Sequence, residues 1–344
     1  MEGKIALEEH FSTELNNKYW DAKGEESRNG VEYARDIEKR LLDADLCLRE
    51  MDRAGIEMSI ISLTSPGVQS VIDPRKATEL ARSANEYAAS VMKKYPSRFS
   101  AFAAVALQDP RGAADELERT VRQLGFKGAL INGYTNMGPN ESVQYLDDEP
   151  VREFWAKVSE LDVPVYLHPR EPLPSQTRSV QGYPELVGSA WAFTYETATH
   201  ALRLMLCGLF DQYPNIQVIL GHLGEGLPYI LPRTQHRLDE QYEGARGAKA
   251  QRRPSYYLAN NFWLTTSGHY HTKPFLDAVE QIGEDRVLFS VDYPYEQMSS
   301  AARWFDDAQF SNSLKLKVGR ENANRLLGLK LKSVSTSIAA GFAA

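Results

Sequence analysis

The sequence predicts an α/β fold of the (β/α)8-barrel class, and three observations support this prediction. Eight short apolar segments rich in Val, Ile, Leu and Phe alternate with longer amphipathic segments. Several of them, such as VLFSV and VILGHL, are apolar on both faces, which is typical of parallel strands covered by helices. The chain of 344 residues is long enough for eight strand–helix units. A doubly wound open sheet is the alternative, and it is disfavoured because no Gly-x-Gly-x-x-Gly motif follows the first strand.

The predicted strands and helices follow one another along the whole chain. The strands are Lys4–Phe11, Met58–Thr64, Phe99–Leu107, Phe126–Gly133, Pro164–Pro169, Gln217–Gly224, Phe262–Gly268 and Val287–Pro294. The helices are Asp36–Ala54, Ala77–Tyr95, Ala113–Leu124, Val151–Leu161, Thr197–Gln212, Leu227–Tyr242, Lys273–Ile282, Ala301–Asp307 and Leu314–Leu327. We expect Ser12–Tyr33 and Glu171–Gly188 to be loops over the C-terminal mouth of the barrel, because they follow the first and fifth strands. We expect residues 1–330 to form one domain and residues 331–344 a flexible tail.

Composition excludes several classes of function. The net charge of −7 disfavours a protein that binds nucleic acid through phosphate contacts. Cys47 and Cys207 are far apart and match no zinc or redox spacing, so we expect two reduced thiols. The N-terminus lacks the apolar core of a signal peptide, and no apolar stretch approaches the ~20 residues of a transmembrane helix. We therefore expect a cytoplasmic protein that binds neither nucleic acid nor membrane.

Polar residues with metal-binding side chains end several of the predicted strands. Glu8 and His10 end the first strand and share one face of it, with Glu9 on the other face. His168 ends the fifth strand, and Asp292 ends the eighth. These groups would meet at one end of the barrel, where a divalent cation would remove the cost of burying them together. The pattern predicts that Glu8, His10, His168 and Asp292 bind one divalent metal ion and leave positions open for a substrate.

His222 at the end of the sixth strand and Glu225 three residues later are predicted to act as a pair. A glutamate beside a histidine can fix the tautomer of the imidazole and raise its basicity, so that the ring can move protons near neutral pH. A histidine of the core followed by a carboxylate at a helix start is the alternative interpretation of the same residues.

The chain resembles a known family at these residues. The matching segments, in order, are GKIALEEHF, KGALINGY, LDVPVYLHPREPLP, WAFTYETATHALRLMLCGLFDQYPNIQVILGHLGEGLPYI, NFWLTTSGH and DRVLFSVDYPYE. They are similar to the amidohydrolase superfamily, in the branch of aminocarboxymuconate-semialdehyde decarboxylase and the o-hydroxybenzoate decarboxylases. The resemblance extends over the chain to about Leu329. It is strongest to the enzymes that act on 2,6-dihydroxybenzoate, and those that act on 2,3-dihydroxybenzoate and on salicylate are near.

The resemblance implies a carboxy-lyase on a (β/α)8 barrel. The implied reaction is the reversible, non-oxidative decarboxylation of a 2,6- or 2,3-dihydroxybenzoate to CO2 and a phenol. One Zn²⁺, Mn²⁺ or Mg²⁺ ion is implied and no organic cofactor. Asp292 is given a proton-transfer role, with His222 and Glu225 supporting it. A homodimer or homotetramer is implied, with the small aromatic acid as the other partner. The residues implied at the substrate pocket or its lid are Arg233, Asn132, Phe193, Tyr295 and Trp20.

Two other functions use the same residues differently. A metal-dependent hydrolase of the same superfamily could use the same ligands to cleave a lactone or an amide with metal-bound hydroxide. A non-catalytic barrel protein is disfavoured because every expected ligand is present in the sequence. Assays of CO2 release and of lactone hydrolysis separate the first alternative from the decarboxylase.

Overall fold

The computed structural model describes residues 1–19, 23–241 and 249–332, and eight of the strands in this part of the chain form a parallel barrel. The strands are β1 (Lys4–Phe11), β2 (Ile56–Leu63), β3 (Phe99–Ala101), β4 (Ala129–Asn132), β5 (Thr135–Asn136), β6 (Val143–Gln144), β7 (Val165–His168), β8 (Val218–Leu220), β9 (Phe262–Thr265) and β10 (Val287–Leu288). The sheets β1-β2-β3 and β4-β7-β8-β9-β10 form the wall. Parallel bridges from Ala103 to Ala129 and from Glu9 to Tyr293 join them at both edges. The predicted barrel is therefore confirmed.

Most of the helices cover the outside of this barrel, whereas the single turn His222–Glu225 lies at its C-terminal mouth. The helices are α1 (Glu14–Asn17), α2 (Lys23–Asn29), α3 (Val31–Leu42), α4 (Ala44–Ala54), α5 (Pro74–Lys94), α6 (Pro110–Arg119), α7 (Arg152–Leu161), α8 (Ala192–Leu206), α9 (Leu209–Gln212), α10 (His222–Glu225), α11 (Leu227–Glu240), α12 (Pro254–Asn261), α13 (Thr272–Ile282), α14 (Met298–Asp307), α15 (Asn312–Leu316) and α16 (Asn322–Leu326). Aspartates cap three of them, because the carboxylates of Asp43, Asp73 and Asp109 accept from the first-turn N–H groups of α4, α5 and α6. None of the helices in the described ranges is both long and apolar enough to cross a membrane.

The core has two layers because strand side chains alternate between the two sides of the wall. Side chains such as Leu130, Tyr166 and Trp263 fill the inside of the barrel. Their neighbours along the strands, such as Ile131 and Leu167, pack outward against the helices. Inward-facing positions beyond this apolar filling reach the C-terminal mouth, which is where polar side chains can meet.

Several sequence-based boundaries are wrong. The segment Ser12–Tyr33 is not a loop, because it contains α1, α2 and the start of α3. The predicted helix Asp36–Ala54 is two helices, because Asp43 leaves the helical conformation to cap α4. The hairpin β5–β6 and helix α12 were not predicted. Glu171–Gly188 contains two 3₁₀ helices, Pro174–Val180 and Pro184–Leu186.

The two predicted mouth segments contact each other. The Arg28 guanidinium of α2 lies 2.7 Å from Glu171 Oε1, and it also packs against Gly188. Trp20, Tyr242 and the tail from Ser333 to Ala344 lie outside the described residues.

Candidate metal centre and active site

Four predicted ligands lie together at the C-terminal mouth of the barrel. Glu8, His10, His168 and Asp292 each offer one ligand atom, and these atoms all lie within 4.8 Å of one another. His10 Nε2 is 3.3 Å from Asp292 Oδ1, and His168 Nε2 is 3.2 Å from Glu8 Oε1. The imidazole rings of His10 and His168 pack edge to face, with centroids 4.6 Å apart. The residues therefore lie where a single ion could contact all of them.

An irregularity in β1 turns Glu8 toward this cluster. Ile5 and Leu7 point into the barrel, so strict alternation would send Glu8 outward. The register with β2 shifts between Ala6 and Glu9, and the backbone N–H groups of Leu7 and Glu8 both donate to Ser290 Oγ, at 3.2 and 2.6 Å. Two successive N–H groups on one acceptor are consistent with a β-bulge, which re-aims the next side chain. Glu8 and His10 thus face the mouth and Glu9 faces away from it.

Glu9 holds the loop that carries Asp292. Its buried carboxylate accepts from the N–H groups of Val291 at 3.0 Å and Tyr293 at 3.3 Å, on either side of Asp292. Burial raises the pKa of Glu9 well above its ordinary value, although the N–H of Val291 opposes this. The N–H of Asp292 donates to Glu8 O at 3.0 Å, and Asp292 has a φ of +80°. This left-handed backbone is costly for a non-glycine residue, and such strain is common at functional sites.

The donor set fits a divalent cation. Glu8 Oε1 and His10 Nε2 are buried and have no hydrogen-bond partner in the structure. A buried carboxylate oxygen without a partner carries a desolvation penalty that a bound cation would remove. Two carboxylates and two imidazoles form a mixed oxygen and nitrogen set that suits Zn²⁺ or Mn²⁺. The residues present are therefore compatible with the ion that the sequence predicts.

The surroundings of Glu8 and His10 keep these two predicted ligands in the forms that bind metal ions. Burial opposes ionisation of Glu8, but the charge of His222 and the nearby His168 outweigh it and hold the pKa of Glu8 well below its ordinary value. Burial and the nearby His168 lower the pKa of His10. An ionised carboxylate and a neutral imidazole are the forms that bind metal ions.

His222 and Glu225 form the predicted pair beside the cluster. His222 Nδ1 lies 2.7 Å from Glu225 Oε1, while Nε2 lies 3.5 Å from Asp292 Oδ2 and 3.9 Å from Glu8 Oε1. Burial opposes protonation of His222, but the charges of Glu225 and Glu8 raise its pKa well above its ordinary value. The imidazole therefore connects Glu225 to the oxygen of Asp292 that faces away from His10.

The pair stands on a strained turn that the sequence did not predict. The predicted strand Gln217–Gly224 is wrong beyond Leu220, because every residue from His222 to Gly226 has a positive φ, between 52 and 80°. Three of these residues are not glycine, and a left-handed conformation costs roughly 1–2 kcal/mol for each such residue. Gly221 precedes the turn, and a Cβ there would lie only 2.6 Å from Glu8 Oε2. The turn thereby brings His222 close to Glu8 and Asp292.

Two of the predicted substrate residues border the cluster. Asn132 is the strand partner of His168, and its buried Oδ1 has no hydrogen-bond partner. The Tyr295 hydroxyl lies 2.7 Å from Thr64 Oγ1, and its ring centroid is 5.9 Å from that of His10. Both side chains are placed where they could contact a ligand on the metal ion.

The other predicted substrate residues lie farther out or outside the described ranges. Phe193 is half-buried in the first turn of α8, and Arg233 is exposed on α11. Trp20 is outside the described residues. Contact of these three residues with a substrate stays a prediction.

Sequence reasoning missed two buried charged residues near the mouth. Glu196 of α8 is buried and neither carboxylate oxygen has a hydrogen-bond partner. Burial raises the pKa of Glu196 to about 7, against the opposing charge of Arg170. The Arg170 guanidinium stacks 3.9 Å from the centroid of the Tyr134 ring, and its side chain fills the space above Gly133. The position of Glu196 three residues after Phe193, on the same helix face, is the signal that could have found it.

Comparisons with known proteins identify the family of this chain and agree with the barrel fold. A family model described as amidohydrolase matches residues 20–329. A gamma-resorcylate decarboxylase of Rhizobium sp. (strain MTP-10005) is 46% identical over 335 residues, which are 96% of this chain and 99% of that protein. The crystal structure of a 2,6-dihydroxybenzoate decarboxylase complexed with 2,6-dihydroxybenzoate is 46% identical, with a TM-score of 0.90 over 95% of this chain and 100% of that one.

A second solved structure is similar to the same degree. A dihydroxybenzoic acid decarboxylase from Polaromonas sp. JS666, with bound manganese and the inhibitor 2-nitroresorcinol, is 45% identical, with a TM-score of 0.91 over 96% of this chain and 98% of that one. The family model matches most of the chain, and the relatives are similar over nearly their whole length. The chain belongs to the amidohydrolase family.

Proposed function

We propose that this protein is a metal-dependent, non-oxidative decarboxylase of ortho-hydroxybenzoates, with 2,6-dihydroxybenzoate as the preferred substrate. The observation that carries the proposal is the cluster of Glu8, His10, His168 and Asp292, in which Glu8 Oε1 and His10 Nε2 are buried without partners. The activities named for the Rhizobium relative and for the two similar structures support the choice of reaction and substrate.

Mn²⁺ is the proposed ion, held by Glu8, His10, His168 and Asp292. The manganese in the Polaromonas structure supports Mn²⁺ over Zn²⁺. When bound, a divalent ion supplies positive charge that attracts the carboxylate and ortho-hydroxyl oxygens of the substrate. The apolar barrel wall beneath the ligands excludes water and strengthens this attraction.

Asp292 is the proposed proton donor. Its Oδ1 faces His10 and its Oδ2 faces His222, so one oxygen lies toward the ligand cluster and the other toward the His222–Glu225 pair. The Asp292 carboxyl gives its proton to the ring carbon that carries the carboxylate, and a new C–H bond forms. The bond from that carbon to the carboxylate then breaks, its electron pair restores the aromatic ring, and CO2 leaves.

His222 returns a proton to Asp292 for the next turnover. Its Nε2 lies 3.5 Å from Asp292 Oδ2, and Glu225 holds the opposite ring nitrogen at 2.7 Å. A protonated His222 imidazole would supply this proton from Nε2. Asn132, Tyr295, Phe193, Arg233 and Trp20 remain the proposed contacts with the aromatic ring and its hydroxyls.

One assay tests this function directly. Mn²⁺-loaded protein is incubated with 2,6-, 2,3- and 2,4-dihydroxybenzoate and with salicylate, and the phenol and CO2 formed are quantified. We expect the fastest release of CO2 from 2,6-dihydroxybenzoate, with resorcinol as the other product. Hydrolysis of lactones or amides without CO2 release from any of the four acids would contradict the proposal and favour the hydrolase. Parallel loading with Zn²⁺ tests the choice of metal.

The proposal extends to assembly and location. We propose a cytoplasmic homo-oligomer, a dimer or a tetramer, in which residues 1–330 of each subunit fold as one domain. Three large apolar side chains support an interface, because Trp191, Tyr229 and Ile230 are 57, 83 and 48% exposed in the single chain. Analytical ultracentrifugation measures the assembly, and a monomer at micromolar concentration would contradict it.

A further inference from the structure

Three hydroxyl side chains meet at one oxygen of Glu8. The hydroxyls of Tyr166 and Ser267 donate to Glu8 Oε2. The Thr265 hydroxyl lies 3.4 Å from the same oxygen and 2.9 Å from each of the other two hydroxyls. All three residues are completely buried. We call Tyr166, Thr265 and Ser267 the hydroxyl cluster.

The three hydroxyl protons of the hydroxyl cluster can satisfy only one oxygen of the Glu8 carboxylate. Each hydroxyl has one proton, and those of Tyr166 and Ser267 are given to Glu8 Oε2. The proton of Thr265 satisfies either neighbouring hydroxyl at 2.9 Å. Glu8 Oε1 receives none of them and has no other hydrogen-bond partner. The two oxygens of one carboxylate are thus separated into an anchored oxygen and a free one.

The hydroxyl cluster comes from β7 and from the end of β9, where alternate side chains point to the inside of the barrel. Thr265 ends β9 and Ser267 lies two residues later, so both point to the inside of the barrel. Tyr166 on β7 belongs to the inner core of the barrel, and its hydroxyl reaches the same oxygen, Glu8 Oε2. A Cβ at position 221 would lie only 2.6 Å from Glu8 Oε2, so Gly221 leaves the space that the anchored oxygen occupies.

Ser267 also contacts the neighbouring functional group. Its Oγ accepts the backbone N–H of His222 at 3.1 Å. His222 begins the left-handed turn, so this hydrogen bond holds the strained backbone at its first residue. One serine hydroxyl thereby connects the Glu8 carboxylate to the position of the His222 imidazole.

We propose that the hydroxyl cluster positions Glu8 for the metal ion by anchoring Oε2, and that Ser267 additionally fixes His222 relative to that ligand. This inference rests on the proposed function, because it takes Glu8 as a metal ligand and His222 as part of the proton-transfer pair. Tyr166, Thr265 and Ser267 are positioning residues, since they act through Glu8 and His222. Hydrogen-bond partners of metal ligands commonly change metal affinity by about 10–100-fold when they are removed.

The test measures Mn²⁺ affinity of the full chain by competition with a chelating dye. Tyr166→Phe, Thr265→Val and Ser267→Ala should each weaken Mn²⁺ binding by about 10–100-fold. Thr265→Ser should restore the affinity because it keeps the hydroxyl. Tyr257→Phe is the matched control, since the buried Tyr257 hydroxyl also donates to a carboxylate, Asp211 Oδ1 at 2.7 Å, on α12 at the outside of the barrel. Its Mn²⁺ affinity should equal that of the wild type.

A second measurement separates the two roles. At saturating Mn²⁺, Ser267→Ala should lower turnover more than Tyr166→Phe does, because only Ser267 accepts the N–H of His222. Unchanged Mn²⁺ affinity in both Tyr166→Phe and Ser267→Ala would overturn the anchoring role, and equal turnover of the two would overturn the role of Ser267 at His222. If the wild type itself binds no Mn²⁺, the metal centre of the proposed function fails. If the wild type binds Mn²⁺ and the variants bind it equally well, only the proposed role of the hydroxyl cluster fails.

Discussion

Glu8 and Glu9 are adjacent in the chain and equally buried, but the two faces of β1 give them opposite environments. Glu8 faces histidines and hydroxyls, has one oxygen without a hydrogen-bond partner, and has a pKa held well below its ordinary value. Glu9 faces backbone N–H groups, and burial raises its pKa well above its ordinary value. Neighbouring cations favour the charged form of Glu8, whereas desolvation dominates at Glu9. The same residue type is therefore a predicted metal ligand on one face and holds the backbone in place on the other.

The two faces of β1 therefore separate the predicted ligands from the residue that holds the backbone of the Asp292 loop. The side that contains Glu8 also contains the other three predicted ligands and the His222–Glu225 pair. The side that contains Glu9 holds the loop that carries Asp292, through hydrogen bonds to Val291 and Tyr293. Substitutions on the two faces of β1 should consequently impair different properties of the protein.

The largest effect is expected for metal content. Glu8→Gln removes the anionic oxygen that faces His168, so the protein should lose most of its bound Mn²⁺ after loading and desalting. Glu9→Gln should keep most of the bound Mn²⁺, because Glu9 faces away from the ligands and an amide oxygen can still accept from one of the two N–H groups, of Val291 and Tyr293, that the carboxylate holds. Elemental analysis of both variants checks this, and equal metal content in the two would remove the distinction between the faces.

Turnover should respond next most strongly. Asp292→Asn places an amide at the proposed proton donor, so the rate should fall by at least ~10²-fold while some metal is retained, which is the usual size of a general-acid contribution. Asp306→Asn is the control, because Asp306 pairs with Lys4 at the opposite end of β1. Steady-state kinetics with 2,6-dihydroxybenzoate measure both variants. Near wild-type turnover of Asp292→Asn would exclude the proton-transfer role.

A third prediction concerns Glu196, a buried carboxyl near the mouth whose two oxygens have no hydrogen-bond partner among the described residues. Its pKa of about 7 in the folded state lies above the unfolded value of 4.5, so its stabilising contribution is complete below pH 4.5 and is lost as pH rises through 7. Between pH 5 and pH 8 the metal-free wild type should lose about 2 kcal/mol of unfolding free energy relative to Glu196→Gln. Urea denaturation at the two pH values measures this difference.

Parallel pH profiles of the wild type and Glu196→Gln would contradict a raised pKa at this carboxyl. The groups that act on Glu196 are Arg170, Tyr145 and Arg203, which lower its pKa, and Glu225, which raises it with burial. A glutamine cannot ionise, so the variant should show only the pH dependence of the remaining groups.

The smallest effect is expected on the outer layer. Asp43→Ala removes the carboxylate that accepts from the N–H of Leu46 at 2.9 Å, so α4 should lose its cap and the protein about 1 kcal/mol of stability. Metal content should not change, because α4 packs on the outside of the wall. A change in Mn²⁺ stoichiometry in this variant would show that the outer layer also shapes the ligand cluster.

Much of the architecture could be predicted from hydrophobic pattern, and much of the connection detail could not. The eight barrel strands were predicted because a strand buried on both faces leaves a continuous apolar segment. The segment Ser12–Tyr33 was misread as a loop because its helices are short and polar, and their apolar contacts come from other parts of the chain. The left-handed turn at His222 could not be predicted, because its histidine, leucine and glutamate carry no signal for positive φ.

The sequence by itself determined the order of the strands and the residues that end them. Because the C-terminal ends of barrel strands meet at one face, it also determined that the four predicted ligands lie close together. Only the tertiary structure decided how those groups are aimed. The bulge at Leu7 and Glu8, the free oxygen of Glu8 and the unpaired Glu196 depend on contacts between residues far apart in the chain. Local preferences are set by neighbours along the chain, whereas orientation and proton affinity are set by neighbours in space, and folding alone brings those together.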